Sequence, residues 1–314
     1  MQLLSLVSPA FNEEESLERF YEAMKGALAS LPDCDHEILF VDDHSIDRTP
    51  EILKRLAARD PKVRWIRLSR NSGMHLACVA GIDHAKGDGV MVMASDLQDP
   101  PDLVTRLHRA WRDGAQVVWG IRSDVRGVSP FTRLTSRVFY WFLNRLTSFE
   151  TPQRGADVFL VDRRVADALR QTQERNLSLF ALVQWLGFRQ ESVPYVKGER
   201  KAGRSKFGFF RRLQLALDSF TGFSCVPLRV TTFLGLFTAA TGLVWAAAIF
   251  VLRVLGVTQA VGYASIMITV LILSGVQMVM LGTVGEYLWR TLEEARRRPR
   301  YFVEEGSSET DMAR

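Results

Sequence analysis

The residues able to do chemistry fall in short groups. Pro9-Ala10-Phe11-Asn12-Glu13-Glu14 comes first, then Asp42-Asp43-His44-Ser45, then Asp96-Leu97-Gln98-Asp99-Pro100-Pro101, and last Gly120-Ile121-Arg122. A hard divalent ion such as Mg²⁺ or Mn²⁺ takes oxygen ligands. It is usually held by one or two carboxylates while substrate phosphates complete its shell. Asp96, with Gln98 or Asp99 close by, suits that role. Standing alone, an Asp-x-x-Asp-Pro-Pro run reads as a turn, because Asp and Pro are common turn formers. Its company with Asn12-Glu13 and Asp42-Asp43 favours a site for a cation and a polyphosphate.

Such groups need elements to hold them. Apolar runs at 3–8, 37–41, 63–68, 90–94 and 116–121 read as buried strands, and segments 14–31, 50–59, 74–85 and 101–113 as helices between them. The alternation predicts an α/β domain: a parallel sheet covered on both faces, joined by right-handed crossovers. Ligands of such a sheet bind at the carboxyl ends of its strands. The acidic groups fall there.

The rest of the chain obeys another rule. Apolar residues are 47% and charged residues 24% of the whole, which excludes disorder and collagen-like repeats. Yet Val230–Leu252 carries no charge, and after Arg253 none appears until Glu286. Each stretch supplies the roughly 20 apolar residues of a bilayer-spanning helix. Basic residues flank them, Arg211, Arg212 and Arg229 before and Arg296, Arg297 and Arg298 after. Cationic flanks stay cytoplasmic, so both termini are expected there, with the connector facing outward. Segments 130–146 and 207–223 mix arginines with aromatics and read as amphipathic helices on a membrane surface. The net charge of +5 forms no single tract, so a nucleic-acid partner is not expected. Cys34, Cys78 and Cys225 show no paired spacing and imply neither a disulfide framework nor a zinc site. His75, His84 and His108 lack ligand spacing and read as surface or partly buried side chains. The N-terminal run does not read as a signal peptide, and the polar tail after Glu304 is expected to be loose.

In order, these motifs resemble family 2 glycosyltransferases. More narrowly, they resemble the polyprenyl-phosphate branch that includes dolichyl-phosphate mannose synthases and bactoprenol glucosyl transferases. Further matches are Arg70-Asn71-Ser72-Gly73, Gly203-Arg204-Ser205-Lys206-Phe207, Pro227-Leu228-Arg229 and Gly285-Glu286-Tyr287-Leu288, then Arg298-Pro299-Arg300-Tyr301. The resemblance spans residues 3 to about 303. It implies a GT-A (Rossmann-like) nucleotide-sugar domain over residues 1–205, a juxtamembrane amphipathic segment over 206–226, two transmembrane helices over 227–289 and a basic cytoplasmic tail over 290–314. It also implies Mg²⁺ or Mn²⁺, and a homotetramer in a bacterial inner membrane. The implied reaction is inverting transfer of one sugar from a nucleotide donor, with UDP favoured, to polyprenyl phosphate.

By the same resemblance, Pro9, Phe11, Asn12, Glu13, Asp42, Asp43 and Gly73 bind the nucleotide sugar. Asp96, Gln98 and Asp99 serve the metal and diphosphate, and Ala94 stands where mannose synthases often carry a further acid. Asp96 and Asp157 are the catalytic candidates, Asp157 orienting a sugar hydroxyl or the acceptor, or else simply capping a strand entry. Arg122, Arg133, Arg137, Arg200 and Lys206 face the acceptor phosphate. The chemistry agrees with this division. A phosphate monoester has a second pKa of about 6, so the attacking oxygen arrives largely deprotonated. The enzyme must then hold two anions together and stabilise the departing diphosphate. A processive polysaccharide synthase would carry a Gln-x-x-Arg-Trp motif, which Gln184-Trp185 does not supply. An idle membrane scaffold would have no use for acids and arginines gathered at strand ends.

Overall fold

The computed structural model describes residues 2–31, 33–123, 156–172, 179–198, 226–256, 262–296 and 298–307. The chain divides into two units, Met1–Leu215 with Pro299–Arg314, and Ala216–Arg298.

The first unit is built on strands β1 (Gln2–Ala10), β2 (Cys34–Asp42), β3 (Val63–Leu68), β4 (Gly89–Val92), β5 (Val117–Arg122), β6 (Ala156–Asp162), β7 (Gln190–Tyr195) and β8 (Val303–Gly306). Its helices are α1 (Leu17–Ala29), α2 (Thr49–Arg59), α3 (Met74–His84), α4 (Asp102–Arg112), α5 (Arg163–Gln171) and α6 (Leu179–Trp185). The strands form one sheet in the order β7-β5-β6-β4-β1-β2-β3-β8. Side chains alternate along each strand, so Leu4, Leu6, Ile38 and Phe40 feed one core against α1, α2 and α4. Val7, Leu39 and Val41 feed the other, against α3, α5 and α6. Helix α1 offers Leu17, Phe20, Tyr21, Met24 and Leu28 to its core, the spacing of one helical face. The N-terminus of α5 is closed by Asp162, whose carboxylate accepts the Val165 N–H at 3.0 Å.

The sheet is mixed rather than parallel, which corrects the expectation from sequence. β6 runs antiparallel between β4 and β5, and β8 runs antiparallel along the outer edge of β3. Sequence periodicity had placed neither strand. In β6 the run Val158-Phe159-Leu160-Val161 alternates between the two cores and is fully buried. That burial holds it mid-sheet despite its reversed direction. β7 is an edge strand with mostly exposed residues, and it tolerates Pro194, as edges do. β8 replaces the start of the expected loose tail.

The second unit contains α7 (Val226–Val254) and α8 (Tyr263–Ala295). Among the described residues one helix is long and apolar enough to cross a membrane, at Val230–Leu252 with mean hydropathy 2.0. Phe233, Phe237 and Trp245 on it are exposed. The amphipathic segments expected at 130–146 and 207–223 lie outside the described residues.

Candidate functional site

β5, β7 and the central strands β4, β1, β2 and β3 point the same way, so their carboxyl ends share one edge of the sheet. Antiparallel β6 starts at that edge, with Ala156 opposite Ile121. The backbone of Asp157 is thereby placed beside the ends of β4 and β5. Its side chain lies outside the description, as do Arg133, Arg137, Arg200 and Lys206.

The loops leaving β1, β2 and β4 each turn through a non-glycine residue with positive φ: Asn12 at 54°, His44 at 62° and Leu97 at 56°. Such backbone costs energy for an L-residue and persists where its surroundings over-determine it. The surroundings are visible for Asn12. Its N–H donates to Ser45 Oγ at 2.9 Å, and its own Oδ1 accepts the Ile46 N–H at 2.9 Å. Next to it the Glu13 N–H donates to Thr49 Oγ1 at 2.9 Å. The β1 and β2 loops therefore form one hydrogen-bonded wall.

Asp42 and Asp43 divide their duties. Asp43 accepts the N–H groups of Ser72 and Gly73 at 2.7 and 2.8 Å, fastening the loop that enters α3. Gly73 sits at φ 89° and ψ 157°, a conformation open essentially to glycine alone. Asp42 is fully buried, and its Oδ1 accepts the Ser45 N–H at 2.9 Å. Its Oδ2 makes no hydrogen bond; Arg67 Nη1 stands 3.5 Å away. Burial raises the pKa of both acids.

The loop after β4 carries the second pole. Asp96 Oδ1 accepts the Gln98 N–H at 3.2 Å, while the Gln98 carbonyl accepts the Gly198 N–H at 2.8 Å. A Cβ at Gly198 would meet the Gln98 carbonyl oxygen at 3.3 Å, so glycine permits this approach. Asp99 is buried, with Oδ1 accepting from Tyr195 Oη at 2.8 Å and lying 3.9 Å from Lys197 Nζ. Its Oδ2 is buried with no hydrogen-bond partner. Burial pushes the Asp99 pKa up and the negative charge of Asp96 adds to that, while Lys197 and Arg122 pull it down. Tyr195 is raised by burial and by Asp99, against the pull of Arg122, which is within hydrogen-bonding reach of it.

Sequence reading gave Ser45 no role of its own and missed Arg67 and Tyr195 as parts of this edge. Tyr195 ends a strand too polar to be seen by pattern. Arg67 sits in a strand already recognised, where alternation puts it on the face of Val63 and Trp65, opposite Ile66 and Leu68. Among the described residues no group of three or more His, Cys, Asp or Glu gathers. The orphaned oxygen of Asp99, close to Asp96, fits a hard ion completed by oxygens from a substrate.

Taken together, the mixed sheet and its acidic carboxyl edge define a GT-A-like α/β domain. The chain belongs to glycosyl transferase family 2, whose model matches residues 5–170, and a GtrB C-terminal hairpin model matches residues 226–290. A bactoprenol glucosyl transferase of Shigella phage SfX is 36% identical over 300 residues, covering 96% of this chain and 98% of the relative. A Bacillus subtilis (strain 168) protein named as an uncharacterized glycosyltransferase, YkcC, is 35% identical, covering 96% and 93%. The mannosyltransferase PcManGT from Pyrobaculum calidifontis, solved with GDP-Man and Mn²⁺, shares the fold at TM-score 0.51 and 17% identity, over 91% of this chain and 87% of its own.

Proposed function

We propose that this protein transfers a single sugar, with inversion, from a UDP-sugar to a polyprenyl phosphate such as undecaprenyl phosphate. The product is a lipid-linked sugar for later use on the far side of the membrane. The relatives named as bactoprenol glucosyl transferases support the acceptor class, and they match nearly the whole chain. The observation that carries the reading is the opposition of charge at one edge. Asp96 and the half-satisfied Asp99 stand beside Arg122 and Lys197.

The β1–β2 wall, with Asn12, Glu13 and Asp42, takes the nucleoside, and the Ser72-Gly73 loop pinned by Asp43 closes its side. Asp96 and Asp99 would hold a divalent ion, Mg²⁺ or Mn²⁺. When bound, that ion supplies Lewis-acid stabilisation to the departing diphosphate. Arg122 orients the acceptor phosphate, a planar fork suited to bidentate contact. Arg133, Arg137, Arg200 and Lys206 are proposed to join it from the segments that face the bilayer. Asp157, starting β6 at the same edge, would orient a sugar hydroxyl. No strong general base is required, because the acceptor oxygen is already ionised near neutral pH.

The helices α7 and α8 are proposed to cross a bacterial inner membrane as a hairpin. Both termini and the catalytic unit would be cytoplasmic, following the placement of arginines. Labelling of Thr258→Cys from outside intact cells, in a background without the native cysteines, checks this; labelling only after permeabilisation contradicts it. The reaction itself is tested by incubating purified protein with undecaprenyl phosphate, Mn²⁺ and a panel of nucleotide sugars, reading lipid products by mass spectrometry. A single-sugar lipid phosphate product is expected. Sugar chains, or no lipid product from any donor, would overturn the reading.

A further inference from the structure

Residues after α8 return to the sheet and do more than seal its edge. β8 pairs with β3 in the register Ile66 to Gly306, Arg67 to Glu305 and Leu68 to Val303, leaving Glu304 as the extra residue of a bulge. Bulges re-aim side chains and recur beside functional sites. Here the re-aimed side chain is Glu304. Its Oε2 accepts from Arg67 Nε at 3.2 Å and lies 3.5 Å from His44 Nδ1.

Arg67 turns this contact inward. While Nε holds Glu304, Nη2 donates to the Ser45 carbonyl at 3.2 Å and Nη1 faces the buried Asp42 Oδ2 at 3.5 Å. Ser45 in turn receives the Asn12 N–H. His44, with its positive φ, is held from the same side, since its Nδ1 lies 3.1 Å from the Leu68 carbonyl. The Glu304 carboxylate thus braces the β2 loop through Arg67 and His44, and the β1 loop only through the Ser45–Asn12 contact. The neighbouring Glu305 points elsewhere, pairing with Lys54 of α2 at 2.6 Å. The strand carries one acid toward the pocket wall and one away from it.

We propose that Glu304 is a positioning residue of the donor site. It orients Arg67 so that the guanidinium balances Asp42 and fixes the Asp42–Ser45 loop against Asn12. This rests on reading that wall as the nucleotide pocket. A group that touches no ligand but orients groups that do tunes affinity, as the partners standing behind metal ligands do. Glu304 is half exposed, so its removal leaves the core intact.

The test uses the full chain in detergent with Mn²⁺, titrated with UDP and with GDP by calorimetry, for wild type, Glu304→Ala, Glu304→Asp and Glu305→Ala. Glu304→Ala should weaken nucleotide binding roughly tenfold, the low end of what supporting residues contribute. Glu304→Asp should recover part of the loss, and Glu305→Ala should stay within about twofold, as an exposed pair does. In steady state the donor KM of Glu304→Ala should rise, with kcat and the polyprenyl phosphate KM unchanged. Equal losses in Glu304→Ala and Glu305→Ala would reduce the effect to general loosening of β8 and overturn the proposal. So would unchanged affinity in Glu304→Ala beside a wild type that binds. If the wild type binds neither nucleotide, the donor-site reading falls first and the inference falls with it.

Discussion

The two edges of the sheet satisfy their buried carboxylates to different extents. At the amino edge, Glu37 is saturated: Oε1 accepts from Ser5 Oγ at 2.5 Å and from the Lys86 N–H at 2.7 Å, and Oε2 from Arg64 Nη1 at 2.9 Å. Ser5 itself accepts the Gly87 N–H at 2.8 Å, so strand β1 and the entrance to β4 are tied into one network. At the carboxyl edge, Asp42 and Asp99 are just as buried, yet each leaves Oδ2 without a hydrogen bond. An unsatisfied buried acceptor costs about 1–3 kcal/mol. The carboxyl edge saturates Asp43 but leaves one oxygen each of Asp42 and Asp99 without a hydrogen bond, the pattern expected if, under the proposed function, those acceptors serve a bound group.

Removing each kind of acid separates the two roles. Glu37→Ala removes the buried carboxylate shared by Ser5, the Lys86 N–H and Arg64 and should destabilise the first unit by about 3–5 kcal/mol, the usual result of breaking a buried pair. The folded fraction should bind nucleotide as the wild type does. Thermal unfolding followed by tryptophan fluorescence, alongside UDP calorimetry, reads both. Full stability in this variant, or lost affinity in its folded fraction, would break the comparison.

Asp96→Asn is expected to do the reverse. It keeps the turn that accepts the Gln98 N–H but weakens the charge available to a metal–diphosphate group. Turnover should fall by about 10²–10³, the scale for loss of one electrostatic stabiliser, with little change in unfolding temperature. Rates of lipid product formed across a Mn²⁺ titration decide the matter. Near-normal rates at every concentration would return Asp96 to the structural class of Glu37.

Much of this edge was legible because strand periodicity and acidic punctuation coincide. The expected runs at 63–68 and 116–121 lie on β3 (Val63–Leu68) and β5 (Val117–Arg122), and Asn12, Asp42, Asp43 and Asp96 follow or end their strands as anticipated. What stayed hidden was long-range. Nothing local to Val158-Phe159-Leu160-Val161 announces that it will enter the sheet reversed, because strand direction depends on where the chain comes back from. β8 was harder still: Val303-Glu304-Glu305-Gly306 has one apolar residue and reads as a tail until β3 offers it a free edge. Tyr195 was concealed by a polar edge strand, and with it the partner that spends one oxygen of Asp99 and leaves the other.

The smallest expected effect is the most discriminating, and it concerns Asp99. Its folded-state pKa is raised above the ordinary 3.8, chiefly by burial. Between 3.8 and that raised value the folded chain holds more protons than the unfolded chain. Stability from this group is therefore full below 3.8 and is lost as pH rises through the folded value, at no more than about 1.4 kcal/mol per pH unit. Asp99→Asn cannot titrate, so the difference between wild-type and variant unfolding curves isolates this contribution. Asp42, Asp43 and Asp83 shift the same way but are common to both proteins. The difference should favour the wild type progressively less as pH rises from 4 to 7. Adding Mn²⁺ with UDP should then flatten it, because a cation beside the ionised carboxylate restores the pairing that burial denies it, and ligands that bind only the folded state stabilise that state. A saturated structural acid would show no such response to ligand. If the slope of the difference curve is unchanged by Mn²⁺ and UDP that demonstrably bind, Asp99 belongs with Glu37, and the open oxygen is not the metal's.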